Sequence, residues 1–94
     1  MTKENNNVVV TKDTYFVYGG ESCANCKQAV TLLNKNNLPF VYKTYGKDYE
    51  ISELIEILPT PSRSIPQVFY VGTDNTLRYV GGLMELVKHL RVTN

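Results

Sequence analysis

The sequence predicts a small α/β domain: a four-stranded mixed sheet flanked by three helices, in the order β-α-β-α-β-β-α. Three observations predict it. Four short runs rich in β-branched and aromatic residues, TYFVY, PFVYKTY, QVFYV and LRYV, are interleaved with segments of helical spacing. Glycine pairs, prolines and Asn/Asp clusters punctuate the boundaries. A chain of 94 residues, 43% hydrophobic and 20% charged, suits one domain and not two.

The first strand is Thr14 to Tyr18, and Gly19-Gly20 turns it. Ser22 is the expected cap of the first helix. Within that helix Cys26, Ala29, Val30 and Leu33 share one face, and Asn36-Asn37 end it. Pro39 to Tyr45 reads as the second strand, broken by Gly46 and Asp48. Ile51, Leu54, Ile55 and Leu58 show helical spacing, with Glu50, Glu53 and Glu56 off that face and Pro59 and Pro61 as the stop. Gln67 to Val71 is the third strand. A GTDN turn leads into the fourth, Leu77 to Val80, as a hairpin. Gly81-Gly82 precedes a last helix with its apolar stripe at Leu83, Leu86, Val87 and Leu90. A helix joins the first two strands, so they are expected to be parallel with a right-handed crossover, and the last two antiparallel. Helices cover both faces of such a sheet.

Composition excludes several function classes. Net charge is +1, and the ten Lys and Arg are scattered without a basic stripe, which speaks against nucleic acid or an anionic membrane as partner. No apolar run approaches the ~20 residues that span a bilayer. The start, MTKENNN, lacks an apolar core of signal-peptide type. A cytoplasmic location and a monomer are the expectations. Residues 1–13 read as a polar, flexible N-terminal extension, in which Val8 to Val10 are a possible short strand, and residues 14–94 as the domain.

Both cysteines lie in ESCANCKQAV, as Cys23 and Cys26. In a reducing compartment such a pair points to redox or metal chemistry rather than a structural staple. Structural zinc usually takes four ligands, and the chain offers two Cys and one His, His89, far along the sequence, so no metal site is expected. The pair follows a strand and opens a helix. There, unpaired N–H groups and the positive end of the helix dipole favour a thiolate at Cys23. Lys27 adds to that effect and Glu21 opposes it. Cys26, one turn in and more buried, stays a thiol until it closes a disulfide with Cys23. The first cysteine attacks and the second resolves.

Taken together, Cys23-Ala24-Asn25-Cys26 after the first strand, Arg63-Ser64-Ile65-Pro66-Gln67-Val68-Phe69, the Gly81-Gly82 pair and the order of elements resemble a glutaredoxin of the thioredoxin-like superfamily, from about Thr14 to Arg91. The resemblance implies a dithiol thiol–disulfide oxidoreductase with glutathione as reductant. Cys23 and Cys26 would be catalytic. Pro66 would follow a cis bond, leaving the Ile65 backbone to pair with the cysteinyl part of glutathione. The γ-glutamyl end would meet the helix start at Gly82, Leu83, Met84 and Glu85. Implied partners are glutathione, disulfide-containing proteins and, as such donors commonly serve it, ribonucleotide reductase.

Three positions depart from the family pattern. Ala24-Asn25 replaces the frequent Pro-Tyr. Gly20 stands where a Lys or Arg often precedes the first cysteine, removing one clamp for a glutathione carboxylate; Lys27, Lys43 and Arg63 are substitutes. Leu83-Met84-Glu85 replaces small polar and acidic residues, with Glu85 left to meet the glutathione amine. The alternatives are a glutaredoxin-like protein reduced by thioredoxin reductase, and a glutaredoxin that binds an iron–sulfur cluster between two subunits.

Overall fold

The computed structural model describes residues 13–93. The extension expected at residues 1–13, with its possible strand at Val8 to Val10, lies outside the described residues apart from Asp13.

The elements follow the expected order. They are β1 (Thr14–Gly19), α1 (Ala24–Lys35), β2 (Phe40–Thr44), α2 (Ile51–Ile57), β3 (Gln67–Val71), β4 (Leu77–Gly81) and α3 (Leu83–Thr93). The sheet order is β2-β1-β3-β4. Strands β1 and β2 run parallel, with Tyr15 opposite Phe40 and Gly19 opposite Thr44. Strand β3 is antiparallel to β1 and to β4, and a β-bulge interrupts the hairpin between Val68 and Phe69.

Alternation along β1 sends its residues to two cores, because successive side chains of a strand face opposite ways. Tyr15 and Val17 face α1 and α3, where they pack with Ala29, Leu33, Leu86, Leu90 and Val68. Phe16 and Tyr18 face the other side, against Tyr49, Leu54, Leu58 and Phe69. Leu33 and Leu54 are fully buried, and each such side chain contributes about 2 kcal/mol by leaving water.

The helix ends have local causes. Asn37 takes φ 56, the left-handed conformation that closes α1. Glu53 accepts the Glu50 N–H at 2.7 Å, which fixes the start of α2. In the hairpin turn Asp74 accepts the Thr76 N–H and pairs with Arg78 at 2.6 Å; these contacts hold its carboxyl down to about 2. The start of α1 corrects the sequence expectation. The cap is Cys23, not Ser22: Cys23 has extended backbone, and its Sγ accepts the Cys26 N–H at 3.1 Å. No described helix is long and apolar enough to cross a membrane.

Candidate active site

The register brings the three sequence motifs to one end of the sheet. Tyr18 pairs with Gln67, and Val68 with Gly81, so the end of β1, the start of β3 and the end of β4 lie side by side. The cysteine turn follows the first, Ile65-Pro66 precedes the second, and α3 follows the third. Contacts show the convergence. The Ile65 side chain comes within 3.3 Å of where a Gly20 Cβ would sit, and the Pro66 carbonyl within 3.5 Å of where a Gly82 Cβ would sit.

Cys23 and Cys26 are joined in a disulfide, with Cα atoms 5.2 Å apart. Cys23 is half-buried at the mouth of the turn, and Cys26 is 0% exposed inside α1. This is the asymmetry expected of an attacking and a resolving cysteine. The first backbone bond of α1 runs from the Lys27 N–H to the Cys23 carbonyl, 3.1 Å. The Ala24 and Asn25 amides precede it in the first turn, where helix N–H groups have no partner within the helix. Glu21, the acid expected to oppose a thiolate, pairs with Lys47 at 3.0 Å, which offsets its charge locally. That pair is exposed and worth little to stability.

The turn before the cysteines is held by two phenols. The Tyr49 hydroxyl donates to the Gly19 carbonyl at 3.0 Å, and the Tyr42 hydroxyl to the Gly20 carbonyl at 2.5 Å. Gly19 is confined: a Cβ there would meet Tyr42 Oη at 2.5 Å and Cys26 Sγ at 2.8 Å. Sequence reasoning missed both tyrosines. Their only signal was a count of seven Tyr in a small chain, which names no contact.

The Ile65–Pro66 bond is cis, as the resemblance implied. Neither backbone group of Ile65 has a hydrogen-bond partner among the described residues. The loop before it is anchored by Gln67, a buried amide at 4% exposure. Its Nε2 donates to the Ser64 carbonyl at 3.0 Å, and its Oε1 accepts the Tyr79 hydroxyl at 2.6 Å. A cleft of 370 Å³ opens between this loop and the start of α3, lined by Ser62, Ser64, Gln67, Tyr79, Gly82 and Glu85.

At the start of α3 one expectation is refined. The Gly82 N–H is taken by Glu85 Oε1 at 2.9 Å, and the first helical bond runs from Leu86 to the Gly82 carbonyl. Among the described residues, the Leu83, Met84 and Glu85 amides are the ones left without a backbone acceptor. Met84 is 64% exposed beside them. Of the substitute cations, Lys43 lies over the Tyr18 ring, 6.0 Å from its centroid. Arg63 is exposed, between two serines of the cleft. His89 is hydrogen-bonded to Tyr15 at 2.8 Å, at the other end of β1 from the cysteines.

Comparison with known proteins agrees with this geometry. A family model described as Glutaredoxin matches residues 8–74, a span that takes in the cysteine pair and Pro66. No curated protein matches the sequence. A crystal structure of glutaredoxin 1 from Francisella tularensis, complexed with cacodylate, is similar with a TM-score of 0.68 at 20% identity. The likeness covers 86% of this chain and 95% of that one, and it speaks for the fold. A redox-active cysteine pair on a thioredoxin-like sheet, inside the span of the family model, leads to one conclusion: the chain belongs to the glutaredoxin family and is a dithiol-type thiol–disulfide oxidoreductase with a Cys-Ala-Asn-Cys centre.

Proposed function

We propose that the protein draws its electrons from glutathione and passes them to protein disulfides and glutathione mixed disulfides in a reducing cytoplasm, with ribonucleotide reductase as a candidate acceptor. The observation that carries this reading is the backbone of Ile65, unpaired among the described residues. The Ile65 side chain lies against Gly20 of the cysteine turn, and the flanking Ser64 and Gln67 line the cleft at α3. An extended tripeptide needs such an edge, because its central amide groups lose hydrogen bonds to water on binding.

Each part of glutathione has a counterpart here. Its sulfur meets Cys23. Its cysteinyl amide pairs with Ile65 beside Pro66. Its γ-glutamyl carboxylate meets the Leu83 to Glu85 amides, a charge-assisted contact. Glu85, already fixed on the Gly82 N–H, turns its second oxygen to the γ-glutamyl ammonium. Arg63 supplies the cation that Gly20 lacks.

In the reaction, the Cys23 thiolate attacks a disulfide sulfur of the substrate and forms a mixed disulfide. The Cys26 thiolate then attacks Cys23 Sγ, the substrate thiolate leaves, and the internal disulfide closes. Two glutathione thiols restore the dithiol and leave as one oxidised glutathione. The Cys26 N–H that points at Cys23 Sγ stabilises the attacking thiolate. The test is disulfide reduction coupled to glutathione and glutathione reductase, run beside the same reaction with thioredoxin reductase. Turnover with glutathione is the expected result. Turnover with thioredoxin reductase alone overturns the proposal and selects the rival electron source, which the glycine at position 20 would favour.

A further inference from the structure

We infer that Tyr42 is the hydrogen-bond donor that receives the resolving sulfur, Cys26 Sγ, when the disulfide opens. The inference rests on the thiol–disulfide activity and not on which thiol reduces the protein.

Cys26 is fully buried, so water does not solvate its sulfur when the S–S bond breaks. A thiolate formed there needs a donor from the protein. The Tyr42 hydroxyl and Cys26 Sγ both crowd the space above Gly19, at 2.5 Å and 2.8 Å from where a Cβ would sit. Only glycine lets the phenol and the sulfur share that space. In the oxidised protein the hydroxyl donates to the Gly20 carbonyl, in the same turn. It therefore stands beside the sulfur over Gly19, not yet bonded to it, with its proton on a carbonyl that can give it up.

The step balances without a further reactant. An incoming thiolate attacks Cys23 Sγ and forms a new S–S bond. The Cys23–Cys26 bond breaks, and its electron pair stays on Cys26 Sγ. The Tyr42 O–H swings from the Gly20 carbonyl to this sulfur and keeps its proton. In the reverse direction the same hydrogen bond maintains Cys26 as a thiolate able to attack. A leaving thiolate of lower pKa leaves faster. The other titratable groups around the pair are Cys23, bonded to Cys26 in the oxidised protein, Glu21 and Lys27, both of which line the hollow beside Tyr42, and Tyr49, whose hydroxyl is on the Gly19 carbonyl. Glu21 is already paired with Lys47.

The test titrates each thiol alone by its thiolate ultraviolet absorbance, Cys26 in the Cys23→Ser protein and Cys23 in the Cys26→Ser protein, with and without Tyr42→Phe. Tyr42→Phe is expected to raise the Cys26 midpoint by about one pH unit, since a hydrogen bond to a charged group is worth at least that much. It is expected to leave Cys23 unmoved. Reduction of the two-cysteine protein by dithiothreitol should slow by about threefold, from the sensitivity of exchange rates to thiol pKa. A midpoint for Cys26 that does not move overturns the inference. So does an equal shift of both thiols, the mark of a loosened turn. If Tyr42→Phe does not fold, fluorotyrosine at position 42 keeps the ring and strengthens the donor. It must then lower the Cys26 midpoint, and no change there overturns the inference as well.

Discussion

The Tyr49 hydroxyl donates to the Gly19 carbonyl from thirty residues along the chain, at 3.0 Å and inside the protein. Tyr49 is 5% exposed and packs edge-on against Tyr18, so one side chain both fills the α2-side core and ties down the residue before the active-site turn. Tyr49→Phe keeps the packing and removes the bond. The Gly19 carbonyl still accepts the Tyr45 N–H at 2.8 Å and is not orphaned. The expected cost is therefore the ordinary worth of a hydrogen bond, about 1 kcal/mol, and a fall in Tm of roughly 4–8 °C for a domain this size. Thermal unfolding of the oxidised protein measures it; an unchanged Tm would remove Tyr49 from the account of the turn.

Cys23 is half-buried and Cys26 fully buried, and the proposed roles, attack by Cys23 and resolution by Cys26, follow that difference in access. Cys23→Ser should abolish reduction of glutathione mixed disulfides. Cys26→Ser should keep part of that activity, which needs one thiol, and lose reduction of protein disulfides that need two. An active Cys23→Ser with an inactive Cys26→Ser would reverse the assignment.

Glu85 and the glycine pair make a graded series. Gly81 has φ +128, and a Cβ there would lie 2.7 Å from Glu85 Cβ, so Gly81→Ala is strained in backbone and in contact. It should destabilise by about 1–3 kcal/mol. A Cβ at Gly82 meets only Glu85 Oε1 at 3.3 Å and the Pro66 carbonyl at 3.5 Å. Gly82→Ala should fold, whereas Gly82→Leu should fold less well and lose glutathione binding by blocking approach to Pro66. Glu85→Gln retains an acceptor for the Gly82 N–H and loses only the charge, an exposed contact worth about 0.5 kcal/mol, so glutathione should bind about two- to three-fold more weakly. Thermal unfolding measures Gly81→Ala, and chemical-shift titration of glutathione into the Cys26→Ser protein carrying Gly82→Ala, Gly82→Leu or Glu85→Gln ranks those three. Shifts that avoid Ile65 and Gly82 would dismiss the groove.

Much of this architecture was legible because local periodicity carries it. The β-branched and aromatic run Thr14 to Tyr18 foretold β1 but not which of its residues faces which core, and the spacing of Leu83, Leu86, Val87 and Leu90 foretold the inward face of α3, where Leu86 and Leu90 are buried. The cysteine pair was legible by its place between a strand and a helix. The cap of α1 was not. Propensity prefers Ser22, but the disulfide ties Cys23 to the first turn of the helix and puts its sulfur on the Cys26 amide. The phenol contacts at Gly19 and Gly20 were also hidden, since Tyr42 and Tyr49 look like ordinary strand and core aromatics until the fold brings their hydroxyls to the turn. Glu85 stood three residues after Gly82, the spacing of a side chain that reaches back to its own helix start. The sequence reading instead gave it to a ligand.

Stability should fail at high pH through two buried phenols. Burial, then the charge of Asp13 and the neighbouring Tyr70, pushes Tyr15 up to about 12. Burial, then Tyr42, Tyr18 and Tyr45, pushes Tyr49 up to about 12. A phenol is neutral when protonated, and its value in the unfolded chain is about 10. Between those two values the folded protein holds protons that the unfolded chain has released. Stability is therefore fully present below about pH 10 and is lost as pH rises toward about 12, by about 1.4 kcal/mol per pH unit for each group. The oxidised protein is the one to use, because its cysteines do not titrate. Urea unfolding between about pH 9 and 12 should show the decline. The double variant Tyr15→Phe, Tyr49→Phe should start lower at neutral pH, having lost the contacts to His89 and Gly19, and then decline more gently. Equal slopes for the two proteins would mean that other groups govern the alkaline limit.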